Sequence, residues 1–123
     1  MPSNVNRGPR QIWLAFIWSM KGLRAGWCIE ASFRLEVILL VILFPVGLWL
    51  GHGAIEKALL AGSLLPVLAA EMLNSAIEAV VDKLWPDHHE IAGRAKDMGS
   101  AAVFLLMVNM LVVWITILVP RAF

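Results

Sequence analysis

The chain has 123 residues, 60% apolar and 15% charged, against roughly 45–50% and about 25% in ordinary soluble domains, and its mean hydropathy is +0.79. A soluble globule this small exposes too much surface to hide so many apolar side chains, and the same composition excludes intrinsic disorder. Ten Lys and Arg against nine Asp and Glu leave no basic excess to favour a nucleic-acid partner, and the single cysteine, Cys28, excludes an internal disulfide.

From Gln11 to Trp27, the residues Trp13, Phe16, Ile17, Met20, Leu23 and Trp27 recur at helical spacing, with Lys21 and Arg24 off their face. This pattern predicts an amphipathic helix over 11–27, lying in the membrane interface. Six Trp and no Tyr fit interfacial anchoring. A cleaved signal peptide is not expected, because the apolar core is short and no small-x-small cleavage site precedes a polar mature chain.

The next block, Val37 to Leu50, is too short to span a bilayer by itself. Extended back to Ala31 it predicts a span over 31–50, with Arg34 and Glu36 held near the interface. The second predicted span, 58–81, contains Glu71, Asn74 and Glu78; the third, 98–119, carries no charge. Gly51-His52-Gly53 and Trp85-Pro86-Asp87-His88-His89 mark the turns between them. Pro45 and Pro66 fall inside spans, where proline is tolerated. The blocks show no period-two alternation, so helices are expected rather than a barrel. The fold expected is therefore an all-α membrane protein, one domain over 1–123.

Lys and Arg bias sets the expected orientation. With a cytoplasmic N-terminus, that side holds Arg7, Arg10, Lys21, Arg24, Arg34, Lys83, Arg94 and Lys96, and the other holds only Lys57 and Arg121.

A charge within a membrane segment is costly and needs a reason. Glu71, Asn74, Ser75 and Glu78 follow one another at offsets 0, 3, 4 and 7, which puts all four on one helical face, and Asp82 continues the stripe. Glu71 and Glu78 then lie about 10 Å apart along the axis. Such a face must meet a partner helix or a polar cleft. The expected topology brings Glu30, Glu71, Asn74, Glu78, Lys96 and Asp97 to one cytoplasmic-side site. Carboxylates in excess of bases favour a hard cation such as Mg²⁺, and a nearby Lys suits phosphate. Two other readings stand beside this one: interhelical hydrogen bonds that only hold a bundle together, and a proton-coupled oligomeric transporter. Neither G-x-x-x-x-G-K-[ST] nor G-x-G-x-x-G is present, so a P-loop is excluded. His88-His89 beside Glu90 has no second cluster to complete a metal site, and Cys28 has no local histidine to activate it.

Four segments carry a resemblance. Glu30-Ala-Ser-Phe-Arg34, Glu71-Met-Leu-Asn-Ser-Ala-Ile-Glu-Ala-Val-Val-Asp82 and Gly93-Arg-Ala-Lys-Asp-Met-Gly-Ser-Ala-Ala-Val103 resemble signatures of the bacterial integral-membrane diacylglycerol kinases, and Ser19-Met-Lys-Gly-Leu-Arg-Ala25 resembles their N-terminal motif. The resemblance implies a homotrimer of subunits with one interfacial and three transmembrane helices. It implies transfer of the ATP γ-phosphoryl to the primary hydroxyl of diacylglycerol, giving phosphatidic acid, with Mg²⁺, at the bacterial inner membrane and on its cytoplasmic face. Glu71 resembles the catalytic base, and Glu30 and Glu78 resemble the metal–nucleotide ligands. His89, Lys96 and Asp97 resemble nucleotide contacts, Asn74 a substrate-side active-site position, and Ser100 a lipid-side position. Gln11 stands where the family has a nucleotide-contacting Arg, with Arg10 adjacent, and Trp18 stands where it usually has Tyr. The undecaprenol kinase branch is the alternative within this fold, although the Gly93–Ala102 run looks more like the diacylglycerol branch.

Overall fold

The computed structural model describes residues 8–123, all in helices and short connections. Arg7, counted above in the charge bias, lies outside the described residues. The helices are α1 (Pro9–Ile29), α2 (Ala31–Leu50), α3 (Gly53–Gly62), α4 (Leu64–Leu84) and α5 (Glu90–Ala122). Three helical stretches are long and apolar enough to cross a membrane: Ala31–Leu50, Gly53–Leu84 and Glu90–Ala122.

α1 starts with Pro9 in its first turn, where the missing N–H costs nothing. It ends at Glu30, whose extended backbone (φ −107°, ψ 113°) breaks the helix before α2 begins. Arg34 reaches back over this break, and its Nη1 donates to the carbonyls of Trp27 at 3.1 Å and Cys28 at 3.4 Å. A guanidinium there satisfies carbonyls that have lost their helical partners. The polar side chain at the start of the first span thus has a local backbone role.

The second apolar block, expected as one helix, is interrupted at Ser63. Pro66 is the cause: it has no N–H, and its ring crowds the carbonyl four residues back, that of Gly62. Backbone groups beside the interruption find partners. Ser63 N–H donates to Leu59 O at 3.0 Å, and the Leu60 carbonyl accepts from both Ser63 Oγ and the Trp114 indole, each at 3.0 Å. Trp114 thereby ties α5 to the break. Pro45, by contrast, is absorbed within α2.

α2 and α3 form a tight hairpin through Gly51 and His52. A Cβ on Gly51 would lie 2.7 Å from the Lys57 backbone nitrogen, and one on Gly47 would lie 3.2 Å from that of Ala61. Gly53 takes φ +82°, a value that suits glycine. Arg121, at the far end of α5, closes this end of the bundle: it pairs with Glu56 and donates to Leu50 O at 2.8 Å. Glu56 in turn accepts from the His52 N–H at 2.7 Å.

α4 touches each of the other four helices. Its buried residues are Leu64, Val67, Ala70, Glu71, Asn74, Ser75 and Val81, so the deeper part of the polar stripe, Glu71, Asn74 and Ser75, lies inside the chain's own packing. α5 has 33 residues and is about 50 Å long, well beyond a hydrocarbon core of about 30 Å. The excess is its polar first two turns, Glu90 to Asp97, which no apolar count reveals as helix. Its N-terminus is capped by His89, whose Nδ1 accepts from Ala92 N–H at 3.3 Å.

Candidate active site

Glu71 is 7% exposed. It is set on the face of α4 that meets the first turn of α2, and its Oε1 accepts a hydrogen bond of 2.7 Å from Ser32 Oγ. α2 and α4 run in opposite directions, so α4 residues beyond Glu71 extend past the N-terminal end of α2. Asn74 is 8% exposed, and its Nδ2 donates to Glu78 Oε1 at 3.3 Å. Glu78 is half-buried and Asp82 is exposed. The stripe therefore runs from the buried centre of the bundle to the exposed α4–α5 loop, and its carboxylates lie at increasing exposure.

The stripe faces two ways within one chain. On one side Ser75, Ala76 and Ala79 share a cleft of about 250 Å³ with Glu30 and with Gly22 and Gly26 of α1. On the other side Asn74 faces α5. Gly99 makes that approach possible, since a Cβ there would lie 2.5 Å from Asn74 Oδ1. Among the described residues this buried Oδ1 has no hydrogen-bond partner. Gly99→Ala is therefore expected to force Asn74 or α5 to move and to destabilise the protein by about 1–3 kcal/mol, as overpacking does. The thermal midpoint of the variant checks this, and an unchanged midpoint would show that the α4–α5 contact has slack there.

Lys96 donates to Asp82 at 2.8 Å, with Glu78 and Asp97 adding to the negative field around it. The ion pair is exposed, and such pairs contribute at most about 1 kcal/mol, so Lys96 is easily released to another anion. It borders a polar cleft of about 210 Å³ that includes Asp82, Trp85, His88 and His89. Asp97 and Ser100 are exposed, and Gln11 and Trp18 are half-buried on α1. Glu30, at the junction of α1 and α2, is half-buried.

Among the described residues no three His, Cys, Asp or Glu side chains group as a ready-made metal site. Glu30 and Glu78 nevertheless suit a hard cation. Neither is held by a Lys or Arg among the described ion pairs. Mg²⁺ commonly takes only one or two protein carboxylates and completes its shell with ligand oxygens and water.

Two side chains at the site escaped the sequence reading in these roles. Ser32 is the hydrogen-bond partner of Glu71, and Asp82 is the partner of Lys96. The helical offset places Asp82 on the stripe, but nothing local marks Ser32, because its partner lies 39 residues away.

The fold and site define a small all-helical membrane protein with a graded row of carboxylates leading to one end. A family model for prokaryotic diacylglycerol kinase matches residues 17–118. The chain is 43% identical over 116 residues to the diacylglycerol kinase of Escherichia coli (strain K12), covering 94% of this chain and 95% of that one. It is 45% identical over 97 residues to that of Haemophilus influenzae, covering 79% and 82%, and 41% identical over 117 residues to that of Pseudomonas aeruginosa, covering 95% of each. The chain belongs to the prokaryotic diacylglycerol kinase family. It is by that membership a lipid kinase.

Proposed function

We propose that the chain transfers the γ-phosphoryl group of ATP to the primary hydroxyl of diacylglycerol, giving phosphatidic acid, at the cytoplasmic face of the bacterial inner membrane. The observation that carries this reading, beyond family membership, is the order of carboxylates along α4. Glu71 is buried beside the first turn of α2, and Glu78 lies about 10 Å nearer the α4–α5 loop. A lipid hydroxyl approaches Glu71 from the bilayer, and a nucleotide approaches Glu78 from water.

In this reading Glu71 takes the proton of the lipid hydroxyl as general base. Glu30 and Glu78 would hold Mg²⁺. The cation, when bound, offsets negative charge on the phosphates during transfer. Gln11, Trp18, His89, Lys96 and Asp97 contact the nucleotide, with Lys96 exchanging Asp82 for a phosphate. Asn74 and Ser100 border the lipid. The orientation rests on the excess of Lys and Arg on the N-terminal side.

The proposal includes a homotrimer, a number that rests on the family resemblance. In a single chain the buried residues of α5 are only Ala92, Gly99 and Val103, which leaves most of that helix for lipid or for other subunits. α1 is proposed to lie in the interface. Trp13 and Phe16 on its apolar face are 62% and 53% exposed and stack with ring centroids 5.7 Å apart. Charging this face by Phe16→Asp is expected to impair use of long-chain diacylglycerol more than use of a short, water-soluble one. Equal losses on both substrates would point to general misfolding instead.

Transfer of label from ATP to diacylglycerol and to undecaprenol, compared in mixed micelles, tests the reaction. Mg²⁺-dependent label in phosphatidic acid is expected. Label on undecaprenol alone would reassign the substrate, and label on neither lipid would overturn the proposal.

A further inference from the structure

We infer that Ser32 is a positioning residue for the phosphoryl-transfer reaction: its hydroxyl fixes the Glu71 carboxylate in the orientation that accepts the substrate proton. The inference rests on Glu71 acting as the base.

Serine inside a helix ordinarily turns its hydroxyl back to the carbonyl four residues earlier. Among the described residues two hydroxyls do so: Ser19 Oγ donates to Ala15 O at 2.9 Å, and Thr116 Oγ1 donates to Val112 O at 2.7 Å. For Ser32 that carbonyl belongs to Cys28. The helix is broken between them at Glu30, and Arg34 already donates to the Cys28 and Trp27 carbonyls. The local option is thus withdrawn, and the Ser32 hydroxyl crosses to α4 instead. Its 2.7 Å distance to Glu71 Oε1 suits a charge-assisted bond from a hydroxyl to a carboxylate.

The geometry divides the work between the two carboxylate oxygens. Oε1 is held by Ser32. Among the described residues no donor is placed on Oε2, which is left for a proton. A glutamate has three rotatable side-chain bonds, and an unfastened one in a half-polar interior samples several directions. Fixing one oxygen from the neighbouring helix removes that freedom and aims the other oxygen. The same bond couples the aim of Glu71 to the α2–α4 contact, so Ser32 acts through Glu71 and need not touch the substrate.

The test compares Ser32→Ala in the otherwise unchanged chain and in the Glu71→Gln chain, with Ser32→Thr as the conservative variant. Turnover with diacylglycerol, KM for ATP and thermal midpoint are measured on each. Ser32→Ala is expected to lower kcat about tenfold, the effect of losing one hydrogen bond to a charged group, with KM for ATP unchanged. Ser32→Thr keeps the hydroxyl and restores most of the turnover. In the Glu71→Gln chain, Ser32→Ala is expected to change the residual turnover little, because no proton-accepting carboxylate remains to be aimed. A purely structural role predicts the same fractional loss in both chains and a lowered midpoint. That result, or an unchanged kcat for Ser32→Ala, overturns the inference. If Ser32→Ala does not assemble, Ser32→Cys keeps the size with only a weak donor, and a kcat equal to that of the unsubstituted chain then overturns it. Glu71→Gln with undiminished kcat removes the base itself and the inference with it. An inactive Glu71→Gln beside a fully active Ser32→Ala removes Ser32 alone.

Discussion

Glu78→Gln is expected to bring turnover close to background while the protein stays folded. The substitution keeps the length of the side chain and an oxygen able to accept the 3.3 Å hydrogen bond from Asn74 Nδ2, so the α4 stripe keeps its internal link. What disappears is the negative charge. Glu78 is only half-buried, its one side-chain hydrogen-bond partner among the described residues is a neutral amide, and Lys96, which also feels its charge, keeps its ion pair with Asp82. The stability cost should therefore be small. The functional cost is larger. A metal ion supplies several kcal/mol of charge stabilisation in phosphoryl transfer, and each ~1.4 kcal/mol is tenfold in rate. If Glu30 and Glu78 hold Mg²⁺ as proposed, losing one of the two carboxylates is expected to reduce kcat by roughly 10²- to 10³-fold. It should also raise the Mg²⁺ concentration needed for half-maximal activity. Turnover measured across a Mg²⁺ titration, with thermal midpoint alongside, checks both. Near-normal activity with an unshifted Mg²⁺ dependence would remove Glu78 from the metal site.

The parts of this architecture that follow from composition were legible in the sequence. Long apolar runs without period-two alternation have few alternatives in lipid, because only a helix satisfies its own backbone there. The helical offsets from Glu71 to Glu78 placed four polar groups on one face, and α4 does bury Glu71, Asn74 and Ser75. The break at Ser63 was encoded in Pro66, but whether a proline bends a helix or interrupts it depends on what can satisfy the backbone groups beside it. Here Trp114, 54 residues from Leu60, supplies one donor. The polar start of α5 was hidden for a different reason: Glu90 to Asp97 is helical through its cap and solvated faces, which hydropathy does not register. Ser32 was hidden because its role exists only once α2 and α4 are packed. The same holds for Arg34, a residue that looks like an interfacial charge until the break at Glu30 shows which carbonyls need it.

Glu71→Gln is the decisive substitution for the proposed chemistry. A glutamine at this position still offers an oxygen to the Ser32 hydroxyl, the one side-chain partner that the structure gives Glu71. It removes the charge from the buried centre of α4 but exchanges a charge-assisted bond for a weaker neutral one. It cannot take a proton from an alcohol. Phosphoryl transfer depends chiefly on positioning and electrostatics, and general bases contribute about 10²- to 10⁴-fold. A kcat loss of at least about 10²-fold is therefore expected, with ATP affinity changed much less, since Glu71 lies about 10 Å from Glu78 along the helix. The purely structural alternative, in which Glu71 serves only to hold α4 against α2, predicts the opposite pattern: a lowered thermal midpoint with specific activity retained in the folded fraction. Thermal midpoint, ATP affinity and kcat measured on a single preparation separate the two. A stable variant that turns over at the original rate would exclude Glu71 as the base, and the proton of the lipid hydroxyl would then have to leave by way of another group.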